Sequence, residues 1–206
     1  AIAKIIFCAG FVVPLDIESW EALNYNKIPK NTYSKKDTSM VIGIDQSAGP
    51  LIYPFKKVRK VKSFKIKGSV DELLVFTKKK QGEKGADDFQ MRLGFIKKGD
   101  KSLGFFQRKL AADWILKLYS LGKHHGGIDG IQFYNISNEK LEWQKREHPL
   151  SDLIKEEIIG QFSKGGQFEF EHKIAKPYEV VGIWVSIDGD DTKSKYQVTI
   201  DEINIQ

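Results

Sequence analysis

The sequence has a single cysteine in 206 residues, Cys8. That excludes an intramolecular disulfide and the paired-thiolate spacings of structural zinc sites. Cys8 sits in the apolar run Ile5–Val13, where a thiol behaves as a small hydrophobic group rather than a nucleophile. The run is the longest of its kind, and no segment approaches the roughly 20 apolar residues that span a bilayer. It follows Lys4 and has the length of a signal-peptide core, but no small-x-small cleavage site comes after it. An edge strand is therefore expected there. The chain also lacks a G-x-S-x-G elbow, a P-loop and a dinucleotide fingerprint. Histidine is scarce: His124 and His125 are adjacent and project apart, while His148 and His172 fit a residue opening a helix and a strand residue. Repeats, low-complexity tracts and interdomain linkers are missing as well, so residues 1–206 are expected to form one domain.

What the sequence does have is alternation. Its content is 41% hydrophobic and 12% aromatic, enough for a packed core. Phe64 and Ile66 alternate with Lys65 and Lys67, as in a half-buried antiparallel strand. Phe89, Met91, Leu93 and Phe95 share one strand face, with Gln90, Arg92 and Gly94 on the other. Phe168, Phe170, His172 and Ile174 repeat the pattern. Near the C-terminus, Val181, Ile183, Val185 and Ile187 oppose Val180, Gly182, Trp184 and Ser186, and a strand from Lys195 to Ile205 follows to complete a closing pair. That last strand changes phase between Ile200 and Ile203, which predicts a bulge at Asp201–Glu202. Pro29 and Pro54 interrupt short segments in the manner of edge strands.

Two stretches have helical spacing instead. Leu110, Trp114, Leu118 and Leu121 repeat at about one turn, with Gly122 suited to the stop. Leu153, Ile154, Ile158 and Phe162 do the same after an N-cap at Ser151 and Asp152 in the first turn. The expected fold is mainly β: a two-sheet, jelly-roll-like (galactose-binding-like) β-sandwich with two short helices.

The chemistry concentrates in two acidic segments. Asp87 and Asp88 precede the strand at Phe89, and Asp188-Gly-Asp190-Asp191 follows the strand ending at Ile187. Antiparallel pairing of those strands would bring five carboxylates to one edge of the sheet, with Arg92 and Trp184 nearby. Turn chemistry is one account of such a group. Contact with sugar hydroxyls or acid/base work is another. Ca²⁺ held by Asp188, Asp190 and Asp191 is a third. An EF-hand is excluded, because Lys193 stands where its glycine would be and Thr199 where its closing glutamate would be. Trp184 is either core or a surface on which a sugar ring stacks.

The formal net charge is +6. Lys56, Lys57, Arg59, Lys60, Lys62, Lys65 and Lys67 supply a local row that would suit a polyanion. Elsewhere lysine is spread along strands and loops, as β proteins use it to block edge pairing, which argues against nucleic acid as a partner.

Several stretches in order are also familiar: Trp20-Glu-Ala-Leu23, Ile28-Pro-Lys-Asn-Thr-Tyr33, Ser47-Ala-Gly-Pro-Leu51, Phe64-Lys-Ile-Lys67, Lys84-Gly-Ala-Asp-Asp-Phe-Gln-Met-Arg-Leu93 and Gly182-Ile-Trp-Val-Ser-Ile-Asp-Gly-Asp-Asp-Thr192. From about Trp20 onward the chain resembles the bacterial domain-of-unknown-function family 3047. Members of that family carry a Gly-Asp-Asp-Phe-like lead into an alternating strand and an Asp-x-Asp-Asn-Thr-like closing loop. Ala86, Asp191 and the helical insert near Trp114 depart from its pattern. The resemblance implies a jelly-roll-like sandwich and an exported protein, periplasmic or secreted, and supplies no reaction.

Together these features lead to the expectation of a non-catalytic module that recognises a glycan or another envelope polymer. Asp87, Asp88, Arg92, Trp184, Asp188, Asp190 and Asp191 would form its site, with no cofactor unless Ca²⁺. A glycan hydrolase using two of the carboxylates is the alternative, and polyanion binding on the lysine row is a third.

Overall fold

The computed structural model describes residues 10–149 and 151–206. Within them the chain forms β1 (Phe11–Val12), β2 (Glu21–Ala22), β3 (Thr32–Lys36), β4 (Ser39–Asp45) and β5 (Leu51–Val70). Next come β6 (Met91–Lys101), the helices α1 (Phe105–Leu110) and α2 (Asp113–Gly122), β7 (Ile128–Ser137) and β8 (Lys145–His148). The chain ends with β9 (Ser151–Gln161), β10 (Gly166–Ser186) and β11 (Lys195–Ile205). The protein is mainly β with two short helices, as its alternation predicts.

The strands form one continuous hydrogen-bonded path, β3-β4-β11-β5-β10-β6-β7-β9-β8, with β1 on β11 and β2 on β5. Two layers arise because β5 and β10, 20 and 21 residues long, run through both. The C-terminal half of β5 and the N-terminal half of β10 pair in the layer with β11 and β4. Their other halves pair in the layer with β6 and β7, where Ile52 faces Trp184 and Trp184 faces Gly94. Register breaks between Lys173 and Tyr178 and between Val180 and Gly182 mark the bend, since extra residues on one strand of a ladder twist and fold it.

The layers close on each other through aromatic contacts. The Phe64 ring lies 5.3 Å from Phe95 and 5.0 Å from Tyr134, centroid to centroid. Around them Ile66, Val198, Met91, Leu93 and Ile183 make the main core. A second, smaller apolar cluster lies on the opposite face of the β6–β7 layer. Ile52, Ile96, Ile131, Phe133 and Trp184 belong to it, and Leu118 of α2 covers part of it. What α2 leaves uncovered becomes the site.

Sequence and structure part company at several points. Ser151–Gln161 is a strand, not the expected helix, and it runs parallel to β7. Three isoleucines, at 154, 158 and 159, favour the extended form, and Gly130, at φ 120°, lets Leu153 approach so closely that a Cβ there would meet its carbonyl oxygen at 2.2 Å. Both helices fall instead in the 105–122 region, separated by the extended residues Ala111 and Ala112. Pro54 lies inside a long strand rather than ending one. It sits past the β2 contact at Leu51–Ile52 and before β11 joins at Phe64, where β5 pairs with β10. The segments around Phe168 and Trp184 are one strand, and β10 and β11 do not form a hairpin, because β5 lies between them.

The bulge at Asp201–Glu202 is present: Ile200 faces Gly68 while Glu202 faces Lys67. The N-terminal edge strand is described only at Phe11–Val12, paired with β11; Cys8 and the rest of that run lie outside the described residues.

Candidate functional site

Antiparallel pairing of β6 with β10 sets Arg92 opposite Ser186. The segment leading into β6 and the segment leaving β10 therefore meet at one sheet edge. A cavity of about 540 Å³ opens there, and Asp87, Asp88, Arg92, Trp184, Asp188, Asp190 and Asp191 all line it. All seven residues put forward from the sequence come together. Others join them that strand patterns did not reveal: Tyr25, Trp114, Phe133, His148, Ile154 and Glu156.

The two acidic segments are tied by hydrogen bonds rather than merely adjacent. Thr192 donates its backbone N–H and its hydroxyl to Asp88 Oδ2, each at 2.6 Å, and the Asp191 N–H reaches Asp88 Oδ1 at 3.3 Å. In return the Asp87 N–H donates to Asp191 Oδ2 at 2.9 Å. Turn chemistry thus accounts for Asp88 and Asp191, whose oxygens hold the closing loop in place.

Arg92 is the hub of the charge network. Its Nη1 donates to Asp188 Oδ2 at 2.6 Å, and its Nη2 bonds the Asp87 carbonyl and lies 3.2 Å from Asp87 Oδ2. Its Nε is buried without a hydrogen-bond partner, 4.0 Å from Glu156 Oε1. A second guanidinium, Arg146 of β8, donates to Asp87 Oδ1 at 2.9 Å and to Glu156 Oε2 at 2.6 Å. His148 Nε2 lies 2.9 Å from Asp87 Oδ2. It is the last residue of β8 and not a helix residue. Asn135 donates to Glu156 Oε1 at 2.7 Å.

These surroundings separate the carboxylates. Burial would raise Asp87, but Arg92, the His148 hydrogen bond and Arg146 hold it below the ordinary Asp value. Asp188 is pushed up to about 7, chiefly by burial, with Asp88, Asp190 and Asp87 adding to the rise against the pull of Arg92. Asp190 is raised to about 6 by burial and by its neighbours Asp88 and Asp191. Arg92 itself stays charged, since three carboxylates outweigh its desolvation. The 2.6 Å contact with Arg92 favours an ionised Asp188, whereas burial opposes it. Full desolvation outweighs that single partner and sets the upward direction.

Among the described residues no three of His, Cys, Asp and Glu are grouped so that they could hold a metal ion. Asp188 is engaged by Arg92 and Asp191 by a backbone N–H.

Much of the remaining lining is apolar. Trp184 is 3% exposed and belongs to the smaller core cluster. It forms floor rather than a stacking surface. Trp114, half-buried on α2, is the indole offered to a ligand; its helical spacing with Leu118 suggested packing alone.

The lysine row lies elsewhere, on the bend of β5, and is partly neutralised: Lys65 pairs with Glu202 at 3.4 Å and Lys67 with Glu169 at 3.2 Å. Lys56, Lys57, Arg59, Lys60 and Lys62 are exposed, and Arg59 stacks 3.6 Å over the Phe11 ring.

No family model matches the chain, and no curated protein matches it. Among solved structures it is similar in layout to a low-affinity xylan-binding module, CBM86, of the gut symbiont Roseburia intestinalis. That match has 8% identity and a TM-score of 0.38, and covers 91% of this chain and 94% of that one. The enzymatically active domain of tailspike protein 4 of bacteriophage CBA120 matches at 9% identity and a TM-score of 0.39, covering 93% of this chain. PfGH50B matches at 8% identity and a TM-score of 0.33, covering 92%. This chain spans 20% and 22% of the latter two. At these identities and TM-scores the likeness bears on neither ligand nor reaction.

Proposed function

We propose that the cavity binds a glycan and does not cleave it. The observation that supports this best is the cavity's mixed lining, with carboxylates and a guanidinium beside Trp114, Phe133 and Ile154. Sugars present that same duality, hydroxyls around the ring edge and C–H groups on its faces. The volume of about 540 Å³ falls within the range of small-ligand sites, and would hold one or two sugar units.

Binding is favoured over hydrolysis because the carboxylates are already occupied. A glycosidase requires two carboxyl groups free to act across the scissile bond. Asp87 and Asp188 are held by arginines, and Asp88 and Asp191 by the closing loop. Asp190 is left. An exported location and kinship with family 3047 go with this proposal, since a module of the bacterial envelope or of the secreted space would meet such polymers.

A glycan array spanning neutral, N-acetylated, amino and acidic sugars tests it. The intact chain should bind at least one class, and Trp114→Ala should weaken that binding about tenfold, the loss of one stacked ring. No binding by the folded chain to any class would overturn the proposal.

A further inference from the structure

The cavity's charge is at odds with the chain around it. The protein carries +6 overall, yet Asp87, Asp88, Glu156, Asp188, Asp190 and Asp191 line the cavity against one lining guanidinium, Arg92. Arg146 adds a second positive charge through its bonds to Asp87 and Glu156. Negative charge therefore remains in excess inside a low-dielectric concavity, where it is poorly screened.

One group concentrates that excess. The Asp190 carboxylate has no hydrogen-bond or ion-pair partner on any other described residue, although Asp88 and Asp191 stand close enough to repel it. The opposing charge that acts on it is Lys193, which is exposed. A folded protein would relieve such a group with a cation or a proton. Arg92 Nε makes an independent demand. It is a donor on a cavity-lining side chain that is nine-tenths buried, and it has no acceptor; Glu156 Oε1, at 4.0 Å, is beyond hydrogen-bond reach. A hydroxyl, which accepts and donates at once, would answer that demand and the Glu156 carboxylate beside it.

We propose, building on the glycan reading of this cavity, that its ligand is an amine-bearing sugar, whose ammonium group sits against Asp190 while a ring hydroxyl meets Arg92 and Glu156. The ammonium supplies the cation the cavity lacks, and its hydrogen bond to Asp190 is charge-assisted. The Trp114 indole adds a face to which an ammonium or a C–H-rich ring is attracted. An N-acetylated sugar offers no such charge, and an acidic sugar would be repelled by the lining.

Calorimetric titration of the intact chain with a short glucosamine oligomer and with its fully N-acetylated counterpart, near pH 7, tests this. The amine form should bind at least about tenfold more tightly than the acetylated form. Asp190→Asn, which keeps the side-chain shape, should remove that preference. Equal or tighter binding of the acetylated oligomer overturns the amine assignment and leaves glycan binding standing. A preference that persists in Asp190→Asn also overturns it, since the ammonium would then be held elsewhere. Binding of neither oligomer overturns it too. The glycan proposal falls only if the whole array is silent as well.

Discussion

Replacing Arg92 with methionine is the sharpest test of the charge network, because the result depends on pH in a way that packing alone does not. Methionine fills part of the volume beside the Phe89 ring, over which the guanidinium lies at 4.5 Å, and it removes the cation that contacts Asp188. Asp87 keeps Arg146 and His148, each at 2.9 Å. The burden falls on Asp188, whose side chain is 8% exposed and whose remaining side-chain contact is the Ser186 hydroxyl at 3.4 Å. Breaking a buried pair from one side costs about 3–5 kcal/mol. Asp188 is raised to about 7 even with Arg92 in place, so below pH 7 both folded proteins hold its proton and the deficit should be nearly constant. Above pH 7 the protein with Arg92 releases that proton, while the variant has no cation to hold the charge and keeps it. The variant's stability then falls with pH where the parent's no longer does, so the deficit grows by up to about 1.4 kcal/mol per pH unit. It should be larger near pH 9 than near pH 6 by about 2 kcal/mol, measured by urea unfolding followed by tryptophan fluorescence. Adding Asp188→Asn to Arg92→Met should remove that extra loss. A deficit equal at the two pH values would refute the account.

Three further outcomes follow from the same geometry. Asp190 has a folded value raised to about 6, so its ionisation costs stability as pH rises from about 4 through 6. Asp190→Asn should therefore raise the melting temperature near pH 7, by an increment on the order of 1 kcal/mol after allowing for its partial exposure, and should do nothing near pH 4. Asp88→Ala releases the N–H groups of Asp191 and Thr192 and the Thr192 hydroxyl. It should cost about 1–3 kcal/mol and speed hydrogen exchange at the Thr192 amide. Gly130→Ala should destabilise by about 2–4 kcal/mol, because φ is 120° and the new Cβ would meet the Leu153 carbonyl oxygen. A near-neutral effect would mean that β9 does not lie against β7 as described.

The sandwich was legible wherever one strand face met the core and the other met water. Phe64 and Ile66 are buried, Lys65 and Lys67 alternate with them, and the phase change after Ile200 marked a real bulge. Period-two alternation is a direct record of half-burial. The record fails where both faces are covered, or where one strand serves two layers. Nothing in the alternation of β5 or β10 says that the strand continues through a bend, so each looked like two shorter strands. Topology was illegible for a related reason: the loop from Ile187 to Ser194 joins neighbours in sequence, but β5 takes the place between them.

The most instructive error and the site coincide. In Ser151–Gln161, Glu156 is 1% exposed and stands on the cavity face, held by Asn135 and Arg146. A charge at an inward position breaks the period of two, and the isoleucines at 154 and 158 on either side of it then look four apart, as on a helix. Its partners lie on two other strands and cannot be inferred from spacing. The acidic segments escaped this fate because they sit just outside regular strands, where antiparallel logic alone places them together. A buried ionic network thus erases the signal that would locate it, and the failure of the hydrophobic pattern between Ile154 and Ile158 becomes evidence in its own right. Where a strand of good β-formers carries a fully buried glutamate, the cost of desolvating it demands partners. Following those partners outward, from Glu156 to Arg146 and on to Asp87, leads back to the cavity.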